Sequence, residues 1–180
     1  MIVVTSAFAE SLDVWLTSLG KSRAPKALSF GSVSDSRSAM MTQERWASEV
    51  HAAIALMPGP ARGLEIASFV QIKHLGPLGY LLINTRTLGD LADVYWLLEK
   101  WFYGVNWMQV SSEDTPGGRQ MIFSWDRRFG IPDRVLEQLH TMTTVMMLRR
   151  ACPTLGPPMC VDIMNAAAGE AAHYRDAFRC

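Results

Sequence analysis

Cysteine is scarce in this chain: Cys152, Cys160 and Cys180 are three in 180 residues. Their odd number and spacing give no disulfide framework and no zinc pattern, and free thiols of this kind behave as small buried hydrophobes. A surplus of either charge is also missing, since 17 basic residues balance 17 acidic ones and the pI is near 6.9. Phosphate contacts need an excess of Lys and Arg, so these residues carry no electrostatic footprint for nucleic acid. No apolar run is long enough to span a bilayer. Met1-Ile2-Val3-Val4 is apolar but short, lacks a basic flank and is followed by Glu10 and Asp13, so it is no signal peptide. A cytoplasmic protein with no membrane partner is expected.

Signatures of catalysis are missing too. Gly-x-Ser-x-Gly and Cys-x-x-Cys do not occur, and Gly76, Gly79 and Gly89 lack the strand–loop–Lys context of a phosphate cradle. His51, His74, His140 and His173 form no pair at ligand spacing on one helix face. Glu137-x-x-His140 has the geometry of half a di-iron site whose other half is absent. The expectation is a non-enzyme with no metal and no cofactor.

What is present is a core. Hydrophobic residues make up 49% of the chain and charged ones 19%, which excludes general disorder and suits one domain of this length. Phe8, Leu12, Trp15, Leu16 and Leu19 recur at helical spacing and stop at Gly20; residues 21–41 then read as a loop. Thr42 opens a second helix to about Met57, with Trp46, Val50, Ala53 and Ile54 on one face, and Pro58-Gly59-Pro60 breaks it. A short helix follows from Ala61 to about Phe69. The division expected is residues 1–41 as an N-terminal helix and loop extension, and 42–180 as the main unit, compact with it.

The chain is organised around His74 to Tyr103. Leu75, Leu78, Leu82 and Ile83 make one helical pattern, with Gly76 and Gly79 where a neighbouring backbone can approach. After Asn84-Thr85-Arg86, Thr87 stands as an N-cap able to accept from the Asp90 amide. Leu88, Leu91, Tyr95, Leu98 and Phe102 then share a face, and Gly104 supplies the stop. Beyond it the period turns to two: residues 105–111 and 120–126 read as strands joined by the turn Thr115-Pro116-Gly117-Gly118. Pro132 suits the start of a helix carrying Val135, Leu139, Met142 and Met146, which ends near Cys152-Pro153. Residues 159–164 read as a third strand, and Glu170 to Arg179 as a closing helix. The fold class expected is α+β: a mainly helical body packed on a small, largely antiparallel three-stranded sheet.

Leu75-Gly76-Pro77-Leu78-Gly79-Tyr80-Leu81-Leu82, followed by Thr87-Leu88-Gly89-Asp90-Leu91, resembles a block in the N-terminal sensor region of AraC-type transcriptional regulators with an arabinose-binding-type domain. Pro60-Ala61-Arg62-Gly63-Leu64-Glu65 resembles the lead-in to that block, and His173-Tyr174 with Phe178 and Cys180 resembles the segment that closes the domain. The likeness covers roughly residues 42–180. It implies effector sensing and dimerisation, a small-molecule effector, a homodimer, and DNA contact only through a C-terminal helix-turn-helix domain not present in these residues.

Aromatics concentrate where the helix must turn into a sheet. An effector pocket is expected there, bounded by some of Tyr80, Trp96, Trp101, Tyr103, Trp107 and Arg149, with rings for an apolar ligand body and polar tips for its other end. Two other classes compete: a small α+β enzyme with an unrecognised site, and a ligand-free oligomerisation module.

Overall fold

The computed structural model describes residues 3–5, 7–22, 40–85, 87, 89–90, 108–126, 132–151, 161 and 167–179. Helix α1 (Phe8–Ser18) buries Phe8, Leu12, Trp15 and Leu16 along one stripe, and the chain leaves it through Gly20 at φ +67. Helix α2 (Gln43–Leu56) starts where the Thr42 hydroxyl accepts the Arg45 N–H at 3.2 Å. It buries Trp46, Val50 and Ala53 against α1, with the Phe8 and Trp46 rings 5.4 Å apart. Fully burying side chains of this size contributes roughly 1.5–3 kcal/mol each.

A short ladder precedes both helices' packing. Strand β1 (Val3–Thr5) pairs antiparallel with β2 (Met40–Thr42), Val3 opposite Thr42 and Thr5 opposite Met40. Helix α3 (Arg62–Ser68) follows the Pro58-Gly59-Pro60 break and is entered through Ala61 in a left-handed conformation, φ 51. A 3₁₀ turn (Ile72–Leu75) leads through Gly76, φ 59, into α4 (Pro77–Ile83), with proline in the first turn where its missing N–H costs nothing.

Strands β3 (Met108–Thr115) and β4 (Gly118–Trp125) form the hairpin, with Pro116-Gly117 as its two-residue loop. Helix α5 (Arg134–Ala151) is capped by Asp133, whose Oδ1 accepts the N–H groups of Val135 and Leu136 at 3.0 and 3.1 Å. Pro132 thus lies ahead of the cap and not inside the first turn. Helix α6 (Ala171–Phe178), reached through a 3₁₀ turn (Ala168–Glu170), closes the described chain.

The core is helix against helix. Helix α3 lies along α5 so closely that a Cβ on Gly63 would stand 2.3 Å from the Val135 carbonyl oxygen. Leu64 and Ile66 from α3, Leu136 and Leu139 from α5, and Phe178 from α6 join the residues of α1 and α2 in one buried cluster. Among the described residues no helix is long and apolar enough to cross a membrane.

The sheet expected from the sequence is not found among the described residues. The described strands pair only in twos, β1 with β2 and β3 with β4, so the α+β class with a three-stranded antiparallel sheet is corrected to a helical assembly with two separate β pairs. Of the supposed third strand, 159–164, Val161 alone is described; it lies outside any strand and packs against the helical core. A short apolar run fits a buried strand or a core-lining segment equally well, and alternation over five residues does not separate them. The hairpin strands also run closer to the turn than the expected 105–111 and 120–126.

Candidate functional site

Helix α4 presents two unlike faces. Leu82 is buried, and Gly79 backs onto the 3₁₀ turn so tightly that a Cβ would sit 2.2 Å from the Ile72 carbonyl oxygen. Gly79 is therefore the close approach the sequence suggested. On the other side Tyr80 is 57% exposed, Leu81 45% and Ile83 39%, an apolar ridge on a seven-residue helix. The ridge is finished locally: the Asn84 amide donates to the Tyr80 carbonyl at 2.6 Å and the Thr85 hydroxyl to that of Leu82. Thr87 then accepts the Asp90 N–H at 3.0 Å, the cap expected of it. The rest of the central helix, 91–102, lies outside the described residues.

Of the six candidate pocket residues, Tyr80 and Arg149 are described. Tyr80 points outward from α4, while Arg149, in the last turn of α5, donates to the Phe178 carbonyl at the end of α6. No hydrogen bond joins the two. Trp96, Trp101, Tyr103 and Trp107 lie outside the described residues.

A buried polar junction was not anticipated. Glu170 Oε1 accepts the Ala61 N–H at 3.1 Å, and Oε2 accepts Gln138 Nε2 at 2.9 Å with Arg134 Nε 3.9 Å away. Gln138 also donates to the Tyr174 hydroxyl at 2.7 Å, while its Oε1 accepts the Gly63 N–H at 3.2 Å. Burial pushes the Tyr174 phenol up, so it stays a neutral partner here. Helix α5 thereby holds the start of α3 and the start of α6 at one end. At its other end Arg149 holds Phe178 and Arg150 donates to the Val70 carbonyl at 2.9 Å. The only sequence signal was the i, i+4 spacing of Glu170 and Tyr174, which says nothing of Gln138.

Two histidines sit in unlike settings near this frame. His74 is fully buried; its Nδ1 accepts the Gln71 N–H at 3.0 Å, which leaves the proton on Nε2, 3.2 Å from Glu10 Oε2 on α1. Lys73 Nζ reaches the same oxygen at 3.0 Å. Lys73 holds the Glu10 carboxyl below the usual range, and burial lowers His74 against the pull of Glu10. His140 on α5 meets the Trp125 ring edge-on at 5.6 Å, and burial pushes its imidazole down to about 4. Both rings are therefore neutral at pH 7. Among the described residues no three His, Cys, Asp or Glu side chains gather as a metal site would require.

Among the described residues, a close-packed helical frame thus stands beside an outward apolar ridge on α4. The chain belongs to the family described as the arabinose-binding domain of AraC transcription regulators, N-terminal, whose model matches residues 27–180. It is thus a sensing domain of an AraC-type transcription regulator, from a family of regulatory ligand-binding domains and not of enzymes. The matched span begins after α1, yet α1 supplies Phe8, Leu12, Trp15 and Leu16 to the same core as the matched helices. Comparison with curated proteins returns no match to the chain.

Proposed function

We propose that this chain binds a small-molecule effector, dimerises, and thereby controls a DNA-binding part carried C-terminally in the same regulator. Residues 42–180 are the sensor and dimerisation unit in this reading, with 1–41 packed on it as an extension. The family match over 27–180 carries the proposal. The balanced charge of these residues supports DNA contact through another part.

The effector pocket is assigned to the aromatic concentration that begins at Tyr80 and continues through Trp96, Trp101, Tyr103 and Trp107, with Arg149 as its cation. The exposed ridge of α4 supports this, since apolar surface beside convergent polar groups is the ordinary make-up of a ligand site. Among the described residues Arg149 donates to the Phe178 carbonyl, and a guanidinium carries further donors of the kind that hold a carboxylate. An effector acts only by binding one of two conformations better than the other.

Melting of the chain against a panel of amino acids, fatty acids and sugars tests the reading, because a compound bound only to the folded state raises the melting temperature. At least one compound is expected to do so, and Tyr80→Ala or Trp101→Ala to abolish its shift. A panel without effect sinks the sensing reading for these compound classes; a shift that survives both substitutions moves the pocket elsewhere.

A further inference from the structure

Helix α5 ends on two adjacent arginines that reach different segments of the chain. Arg150 donates to the Val70 carbonyl at 2.9 Å, and Arg149 to the Phe178 carbonyl. Neighbouring residues on a helix point about 100° apart, so one turn can hold two elements at once. Phe178 is the last residue of α6, and its carbonyl is among those a helix leaves unpaired at its C-terminal end. Arg149 supplies a partner for it. The next residue, Arg179, turns the chain away in the left-handed region at φ 59. Val70, for its part, is fully buried and leads through Gln71 into the 3₁₀ turn Ile72–Leu75.

That turn is stiff, and two other helices grip it. Gln71 and His74 cap each other, side chain to backbone in both directions. From α1, Glu10 Oε2 lies 3.0 Å from Lys73 Nζ and 3.2 Å from His74 Nε2. From α4, Gly79 packs on the Ile72 carbonyl with no room for a Cβ between them. Close packing of this kind passes a displacement on instead of absorbing it. A tilt of α4 therefore pushes residues 71–75 and shifts the Val70 carbonyl against Arg150.

From these contacts we infer that the last turn of α5 relays movement of α4 to the C-terminal end of α6. The two-state element is the final turn of α6: closed with the Phe178 carbonyl on Arg149, frayed with that bond broken. Moving Arg150 turns the end of α5 and carries Arg149 with it. The position of α4 thus sets how often the α6 end opens. In the sensing reading proposed above, on which the use of the relay rests, α4 carries a wall of the effector site and the DNA-binding part follows α6. An effector that prefers one position of α4 then biases the α6 end by linkage.

Hydrogen exchange on the whole chain tests the relay without any effector. The readout is the amide of Arg179, which donates to the Arg175 carbonyl across the last turn of α6. Two substitutions push from the far side. Gly79→Ala forces α4 off the turn, and Glu10→Gln loosens the grip of α1 at an exposed carboxyl. Each is expected to speed exchange at Arg179 roughly fivefold. If Gly79→Ala unfolds the chain, Glu10→Gln decides alone. In an Arg150→Met background, which keeps the stem and loses the guanidinium, the response to either push is expected to vanish. Arg149→Met speeds exchange at Arg179 by itself, and neither push then adds to it. Val50→Ala, a core cavity on α2, controls for general loosening and should leave Arg179 unchanged. An unmoved Arg179 amide in the pushed variants, a response that persists in Arg150→Met, or an equal response to Val50→Ala overturns the relay. Such a failure leaves effector binding standing, because melting against the compound panel reads that separately.

Discussion

The junction of α3, α5 and α6 is built on terms opposite to those of α4 and of the hairpin. At the junction, hydrogen bonds join residues far apart in sequence, Ala61 to Glu170 and Gly63 to Gln138, in places where water does not reach. A buried donor or acceptor left without its partner is costly, so such a network makes one arrangement much better than its neighbours. On α4 the bonds are local, Asn84 to Tyr80 and Thr85 to Leu82, and the side chains of Tyr80, Leu81 and Ile83 face outward. The hairpin likewise makes its ladder within itself. Among the described residues, the buried long-range polar bonds gather at the junction, while the exposed large apolar side chains gather on α4.

The sharpest way to break this contrast is Gln138→Leu. It strips Gly63 of its acceptor and Glu170 and Tyr174 of a donor at once, and is expected to cost about 3 kcal/mol, read by urea denaturation. A loss no larger than that of a surface substitution would mean the junction is not where the fold is held.

Acid is the next lever. His140 has its folded-state pKa lowered from 6.5 to about 4, so the unfolded chain binds a proton the folded chain refuses. Its contribution is intact above pH 6.5 and is lost as pH falls from 6.5 towards 4, on the order of 3 kcal/mol. His74 is lowered as well and works in the same direction. His140→Phe should flatten that part of a stability-against-pH curve; an unchanged slope would place the acid sensitivity elsewhere.

Gly118→Val should cost roughly 1–2 kcal/mol, confined to the hairpin, because its φ of +137 is closed to side chains even though open space surrounds it. Gly117→Val, with no positive φ and equal room, is the control. Hydrogen exchange of the β3 and β4 amides reads both, and equal responses would argue for a loose loop. The smallest effect is expected on the α4 ridge: Tyr80→Ala should change stability by less than about 0.5 kcal/mol while altering what the chain binds. A large loss of stability there would move Tyr80 into the packed half.

Much of the helical order was legible because its causes are local. Thr42 and Thr87 cap where their side chains reach the amide three residues on, Gly20 ends α1, and the apolar spacing of Phe8, Leu12, Trp15 and Leu16 named the buried face. The two-residue hairpin turn was readable from Pro116-Gly117-Gly118. Illegible were the partners. Nothing near Val3–Thr5 announces that it pairs with Met40–Thr42, and the alternation in 159–164 suggested a strand where Val161 instead packs on helices.

The sequence by itself determined where α1 and α2 lie, where the hairpin turns, and which family the chain belongs to, because caps, periods and motif blocks act over a few residues. Only the tertiary structure decided that Gln138 and Glu170 share one buried network, that Gly63 exists for the backbone of α5, and that Tyr80 faces outward while Leu82 faces in. Those are contacts between segments separated by tens of residues. Their energy depends on how whole helices pack, and a polar residue carries no mark of the partner that packing will bring to it.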